Sequence, residues 1–471
     1  MTARVKKYIV FAFIAAVTAA LCLLPRAFLA LANSADRYWH SESESAGVLH
    51  RGDCPLEVTH EKLTFDIPSF PDYFSGEEEF EKYDSSVTAE YTFFNPTEHA
   101  VTARLAFPFG KPSEFGNDLK WDDTERYDVC VNGAAVEKRL RHTYCSRYYG
   151  DDFNAENELE KLCDEKISRW FFTPQTAVTY YTYRVHGIAS EGGNDWSPYA
   201  SATLPKSDTR RIVMSEYDGC ETLSDRLKAG FWAENGKEIC VYTVGEPLPK
   251  PPEWTLYSNG SQLKYIDGKV ELVNTGETSF YEFATSKLPE SGNIMPDDWY
   301  NAVTEAFCAE IAYYVHGIDY VLNPADRLMR WYEYSLVVPA GAEVTNSVCA
   351  PLYPSIDGWY EPPVYDYEYL LSPAKRWSAF GSLDIEIVTP RYLTDANGFD
   401  FEKTERGYAL SLNGLPDGDL RFSLCEVQNP KSVHNYGSPI WVIIPIAVTV
   451  LIALPCVFAL AVLLRYKKTP R

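Results

Sequence analysis

The sequence predicts a mainly β protein: tandem β-sandwich-like units with two packing helices, plus a C-terminal transmembrane helix. Three observations carry that reading. Short runs alternating between apolar and polar residues, rich in Tyr, Val and Phe, recur between turn signals, as strands with one buried face do. Helical periodicity shows in two stretches, 153–170 and 296–315. Finally, Ile440 to Leu464 is 25 residues without a charge, longer than the ~20 needed to cross a bilayer.

At the N-terminus, a basic "MTARVKK", an apolar "YIVFAFIAAVTAALCLL" and a small-residue "ALA" ending at Ala32 have the order of a secretory signal peptide, 1–32. A linker, 33–50, leads to a first β-sandwich-like unit at 51–148. There, Val87, Ala89, Tyr91 and Phe93 alternate up to the break Asn95-Pro96-Thr97, and Val101, Ala103, Leu105 and Phe107 alternate after it. Two period-two runs around a Pro-containing turn predict a β-hairpin and scaffold rather than chemistry. "YDVCVNGAAVEKRL" predicts a second hairpin around Asn132-Gly133.

A helical insertion follows at 149–175, with Leu159, Leu162, Cys163, Ile167 and Trp170 on one face. A β-rich unit at 176–290 carries Asn259-Gly260 and Asp267-Gly268 turns. The helical segment 291–327 can start at Pro296, with Trp299, Val303, Phe307, Ile311 and Tyr314 as its apolar stripe. A C-terminal β-sandwich-like unit spans 328–428. "VHGI" occurs at 185–188 and 315–318 with unlike flanks, which reads as coincidence. A juxtamembrane linker, 429–439, the span, 440–464, and a basic tail, 465–471, close the chain. Positive charge stays on the cytoplasmic side, so the reading is a single-pass type I protein of the cell membrane with its body outside and close to the bilayer.

The chain has 43 Lys+Arg against 66 Asp+Glu, a net charge of −23; the two ends hold eight of the bases and no acids, leaving −31 between them. Such a surface repels phosphate backbones, so nucleic acid is excluded as a partner. Nine cysteines fall between the ends, an odd number that leaves at least one unpaired. Cys130 and Cys145 flank the Asn132-Gly133 turn and are a candidate disulfide across that hairpin region.

Motifs that could carry chemistry are incomplete. Arg51-Gly52-Asp53 is an adhesion tripeptide near the expected mature N-terminus. Ser372 and Lys375 have the spacing of a penicillin-binding nucleophile and its lysine, without the later K-T-G strand. The simpler reading makes Ser372 the cap of a short helix with Pro373 in its first position. Asp395, Asn397, Asp400 and Glu402 offer oxygen ligands around Gly398, but the glycine is misplaced for a calcium loop, and a turn fits better. "NPKSV" at 429–433 departs from a wall-sorting signal at Ser432. No cofactor, metal set or catalytic residue is called. The 33 Tyr and 11 Trp are the most suggestive feature. Tyr365, Tyr367 and Tyr369 share one strand face and read as core. Trp359 and Tyr360, on a Pro-rich loop, are the candidate ligand-binding residues.

At "YLLSPAKRWSAFGSLDIEIVTP" and "YTFFNPTEHAVTARLAFPFG" the chain resembles Gram-positive bacterial surface proteins with a signal peptide, a β-rich ectodomain and one C-terminal span. Those proteins have no assigned activity, so the resemblance implies place and architecture alone. The expected function is non-catalytic binding or a structural role near the membrane, with another envelope protein or cell-wall glycan as partner. A glycan-directed hydrolase or transferase using paired carboxylates is the alternative.

Overall fold

The computed structural model describes residues 38–39, 45–46, 48–70, 84–110, 127–145, 155–189, 196–289 and 294–433. The expected signal peptide (1–32), span (440–464) and tail (465–471) lie outside them. Among the described residues the protein is mainly β, in several sheets. The expected class needs two corrections. No helix among the described residues is long and apolar enough to cross a membrane. The sandwiches, moreover, are not in tandem.

The second correction comes from strand pairing. Strand Glu57–Asp66 pairs antiparallel with Ser86–Phe94 and parallel with Phe380–Val388. Ser86–Phe94 also pairs with Glu343–Pro351, and Val101–Gly110 with Leu328–Val338. The segments expected as separate units at 51–148 and 328–428 therefore interleave. An eight-stranded sheet buries its inner face against a six-stranded sheet and a four-stranded sheet that also carries Leu49–His50 and Arg139–Tyr144. Tyr365, Tyr367 and Tyr369 are inside this core, facing Phe65 and Phe422 among others.

The first expected hairpin is instead an arch between sheets: Ser86–Phe94 belongs to the eight-stranded sheet and Val101–Gly110 to the four-stranded one. Asn95 makes the corner. Fully buried, it donates from Nδ2 to the carbonyls of His99 (2.8 Å) and Val338 (2.9 Å) and accepts from the Thr97 amide at 3.0 Å. A side chain satisfied on both ends can turn a chain inside a core where an unpartnered amide would be costly. The second hairpin does form: Asp128–Val131 pairs with Ala134–Ala135. Asn132 (φ 48°) and Gly133 (φ 75°) supply the two left-handed residues its tight turn requires. Cys130 lies in the eight-stranded sheet and Cys145 just past Arg139–Tyr144 of the four-stranded one, and no disulfide joins them, so the expected disulfide is corrected.

The inserted segment has its own layers. A five-stranded sheet, in order Lys269–Ser279, Ala177–His186, Glu238–Gly245, Arg210–Met214, Val315–Gly317, presents one face to a second four-stranded sheet. Its other face, through Val178, Val213 and Val244, packs on helices Phe280–Thr285, Pro296–Ala309 and Ile318–Leu322. Pro296 starts the long helix, and Asp297 and Asp298 suit the positive end of its dipole. Trp299, Val303 and Phe307 are buried as the stripe requires, while the helix stops at Ala309, before Ile311 and Tyr314. The insertion expected at 149–175 has a much shorter helix, Ala155–Leu159. Beyond it, Leu162 joins Leu159 against Met329 and Trp331, and Asp164 meets Arg51, Arg104, Arg139 and Arg141.

Candidate functional site

The deepest convergence of charge is a structural clamp. Arg141, 1 % exposed, donates to Asp298 from Nε (3.0 Å to Oδ2) and to Glu333 from Nη1 (3.1 Å). Arg51 and Arg104 also reach Glu333, at 2.5 and 2.7 Å. Asp164 takes Arg104 at 2.8 Å and Arg141 at 3.1 Å, and the Arg104 hydrogen bond holds its carboxyl well below the usual range. Every carboxylate here is committed to arginine, so none is free to move protons. Arg51 of the adhesion tripeptide is spent inside this clamp. The penicillin-binding spacing fares likewise. Ser372 begins a short 3-10 helix whose leading amides, Leu371 and Ser372, are capped by Asp419 Oδ1, correcting the expected Ser372 cap. Lys375 Nζ donates to the Asp417 carbonyl at 3.1 Å. At the expected turn, Asp395 Oδ1 accepts from the Asn397 amide at 3.0 Å, and no metal-binding group of three His, Cys, Asp or Glu occurs among the described residues.

Trp359 and Tyr360 are both half-buried. The Trp359 amide donates to Asp357 Oδ1 at 2.8 Å, and its carbonyl accepts from the Val433 amide at 2.7 Å. Tyr360–Glu361 pairs with Lys431–Ser432. The loop is thus strapped by the chain's last described strand, and neither ring lines the groove between Ser215–Tyr217 and Val315–Tyr320.

That groove has a topological cause. Arg210–Met214 and Val315–Gly317 are neighbouring parallel strands, with Val213 beside His316 and Met214 beside Gly317. Past Met214 the chain crosses to the second four-stranded sheet; past Gly317 it enters helix Ile318–Leu322 on the opposite layer. Where adjacent parallel strands send their continuations to opposite faces, a crevice opens beyond their carboxyl ends. Here it measures about 950 Å³, lined by Ser215–Tyr217 from one strand end, Val315–Tyr320 from the other, and Glu310 and Tyr313 from beyond the long helix. A second surface hollow, about 480 Å³ beside Pro249, Pro251 and Pro252, carries Lys228 and Lys250 and has no comparable topological origin.

Three tyrosines face the groove substantially exposed: Tyr217 (39 %), Tyr313 (64 %) and Tyr320 (49 %). Tyr217 lies against Gly317, where a Cβ would sit 3.6 Å from its ring. Tyr320 donates its hydroxyl to Glu310 Oε1 at 2.8 Å, with Arg327 Nη2 at 3.5 Å behind it. Of the three acids, Glu216 pairs with Lys237 (2.8 Å) and Asp319 with Lys287 (3.7 Å); Glu310 has no basic partner among the described residues. His316 is buried edge-on to Phe307, and burial lowers its pKa to about 4, so it is neutral near pH 7. Its "VHGI" context was visible in the sequence; the strand pairing that makes it a wall was not.

No family model matches the sequence, and no curated protein matches it. Among solved structures, the chain is similar to a candidate nutrient binding protein from Legionella pneumophila. The identity is 11 %, with 81 % of this chain and 70 % of that chain covered, at a TM-score of 0.31. An overlap that loose transfers neither fold family nor ligand.

Proposed function

We propose that this chain is a non-catalytic binding protein whose ligand enters the groove between Ser215–Tyr217 and Val315–Tyr320. The observation that carries the reading is three exposed tyrosines around a crevice of ligand size at the fork of two parallel strands. Rings that keep half their surface in water contribute little to folding but offer a ligand apolar area with a polar edge. The N-terminal segment, read as an export signal, would place the groove outside the cytoplasm.

The hydrolase reading keeps one specific support: Glu216, Glu310 and Asp319 share a cleft with aromatic rings. Two-carboxylate hydrolysis needs two uncommitted groups, and lysines occupy two of the three. Binding is therefore the better account. The test is a small-molecule screen by thermal shift on the full chain, repeated with Tyr313→Ala and Tyr217→Ala. Ligands that stabilise the wild type should lose at least tenfold in affinity in one or both variants. Ligands indifferent to both substitutions would place binding elsewhere. Turnover of a glycan, abolished in Glu310→Gln, would establish the hydrolase instead.

A further inference from the structure

We propose that the groove selects an organic cation: a small molecule carrying a protonated amine or quaternary ammonium on an apolar body. The inference rests on the groove being the binding site, and it deepens that reading by naming the ligand class.

Four observations converge. Three acids and no lysine or arginine are among the lining residues. The basic groups that pair with Glu216 and Asp319, Lys237 and Lys287, approach from outside that lining and leave Glu310 uncompensated. Glu310 has one oxygen engaged by the Tyr320 hydroxyl, which fixes the carboxylate in place. The nearest guanidinium, Arg327, sits outside the lining, 3.5 Å from the Tyr320 hydroxyl and 5.2 Å from its ring centroid, so an anion in the groove would face three acids before it, while a cation would supply the direct ion pair Glu310 lacks.

The tyrosines provide the second component. A cation within ~6 Å of an aromatic face is attracted by the ring quadrupole, and several rings around one ammonium are a recurring recognition device. Tyr217, Tyr313 and Tyr320 come from three different segments, so their convergence is a product of the fold.

His316 is the third and independent sign. It is 3 % exposed, forms part of the groove wall, and its Nε2 has no hydrogen-bond partner among the described residues. The Tyr313 backbone lies beside the ring. In the neutral tautomer that carries its proton on Nδ1, Nε2 is a bare acceptor. A buried acceptor without a donor is costly, and the N–H of a protonated amine, unlike a quaternary ammonium, is a donor of the missing kind. Finally, the chain's net charge of −23 raises the local concentration of cations over the whole surface.

The experiment uses the full chain and matched probes. Choline and n-butylamine are the cations, 3,3-dimethylbutan-1-ol and n-butanol their neutral counterparts, butyrate the anion, and N-acetylglucosamine a neutral sugar. Affinities are read by calorimetry and by NMR shifts of the groove tyrosines. The expected result is saturable binding of at least one cation, tenfold or more above its neutral counterpart. Glu310→Gln, which keeps an acceptor for Tyr320, should weaken that cation about tenfold without changing the unfolding temperature. Should Glu310→Gln lower that temperature, Asp319→Asn at an exposed position replaces it as the charge test. Equal or better binding of the neutral counterpart, or cation binding unchanged by the charge-removing variant, overturns the inference. Binding of the sugar alone, lost in Tyr313→Ala, overturns it while upholding the groove as the site. No binding of any probe, with no effect of the tyrosine variants in the wider screen, removes both.

Discussion

Glu61 sits on the inner face of strand Glu57–Asp66, opposite Tyr91 and 1 % exposed, with no ion pair among the described residues. Burial pushes its carboxyl from the ordinary 4.5 up to about 8, only partly offset by Tyr91. Below pH 4.5 both folded and unfolded chains hold the proton. Between 4.5 and 8 only the folded chain does, so this residue's contribution to stability falls as pH rises through that window and is lost above it. At ~1.4 kcal/mol per unit, the loss is a few kcal/mol. Glu61→Gln removes the titration but keeps the shape. The variant should match the wild type near pH 4.5 and exceed it by a few kcal/mol near pH 9, measured by denaturant unfolding at both values. Parallel pH curves for the two proteins would refute a protonated Glu61. The sequence hid this residue for a definable reason. In "EVTHEKLTFD" a bulge between Val58 and His60 shifts the phase of the strand, so strict alternation assigns the residues after the bulge to the wrong faces. Where no bulge intervenes, as at Tyr365, Tyr367 and Tyr369, the period-two reading put the right side chains inside.

The long helix shows the same limit at the scale of an element. Its apolar stripe was legible, because Trp299, Val303 and Phe307 recur at helical spacing. Asp298, Asn301 and Thr304 are polar and lie off that stripe, yet all three are buried. Thr304 donates to the Tyr300 carbonyl one turn back, but the other partners come from elsewhere: Arg141 for Asp298, and the Ile167 amide and Glu165 carbonyl for Asn301. Helical periodicity records polarity and is blind to partners distant in sequence. The Arg141–Asp298 pair yields a prediction. Asp298→Ala leaves Nε of the buried guanidinium without an acceptor, although Nη1 keeps Glu333 and Asp164, and should cost about 3 kcal/mol. The double change Arg141→Met with Asp298→Leu should recover most of that, because Glu333 retains Arg51 and Arg104. A double-mutant cycle in denaturant decides it. Additive losses would mean that the two side chains stabilise the fold independently.

For the molecule as a whole, the β class and most strands were readable locally, but the order of assembly was not. Nothing in 51–148 announces that its strands alternate with those of 328–428, since either set satisfies the same period-two pattern. The candidate site shares that opacity. Trp359 and Tyr360 were chosen as ring-bearing loop residues, whereas the groove exists because 210–214 pairs with 315–317, a contact about a hundred residues apart in sequence. Interleaving has a direct consequence. A fragment of residues 328–433 lacks Glu57–Asp66 and Ser86–Phe94, the two strands between Phe380–Val388 and Glu343–Pro351, so its share of the eight-stranded sheet falls into pieces. Leu336, Val348, Ile385 and Leu383 would then be stripped of their partners in the shared core, and each such side chain loses roughly 1.5–3 kcal/mol of burial. Against a net stability of ~5–15 kcal/mol for a whole domain, that loss is decisive. The fragment should show no near-ultraviolet dichroism and no cooperative thermal transition, while the full chain shows both. A cooperative transition in the isolated fragment would restore the tandem order that local patterning suggested.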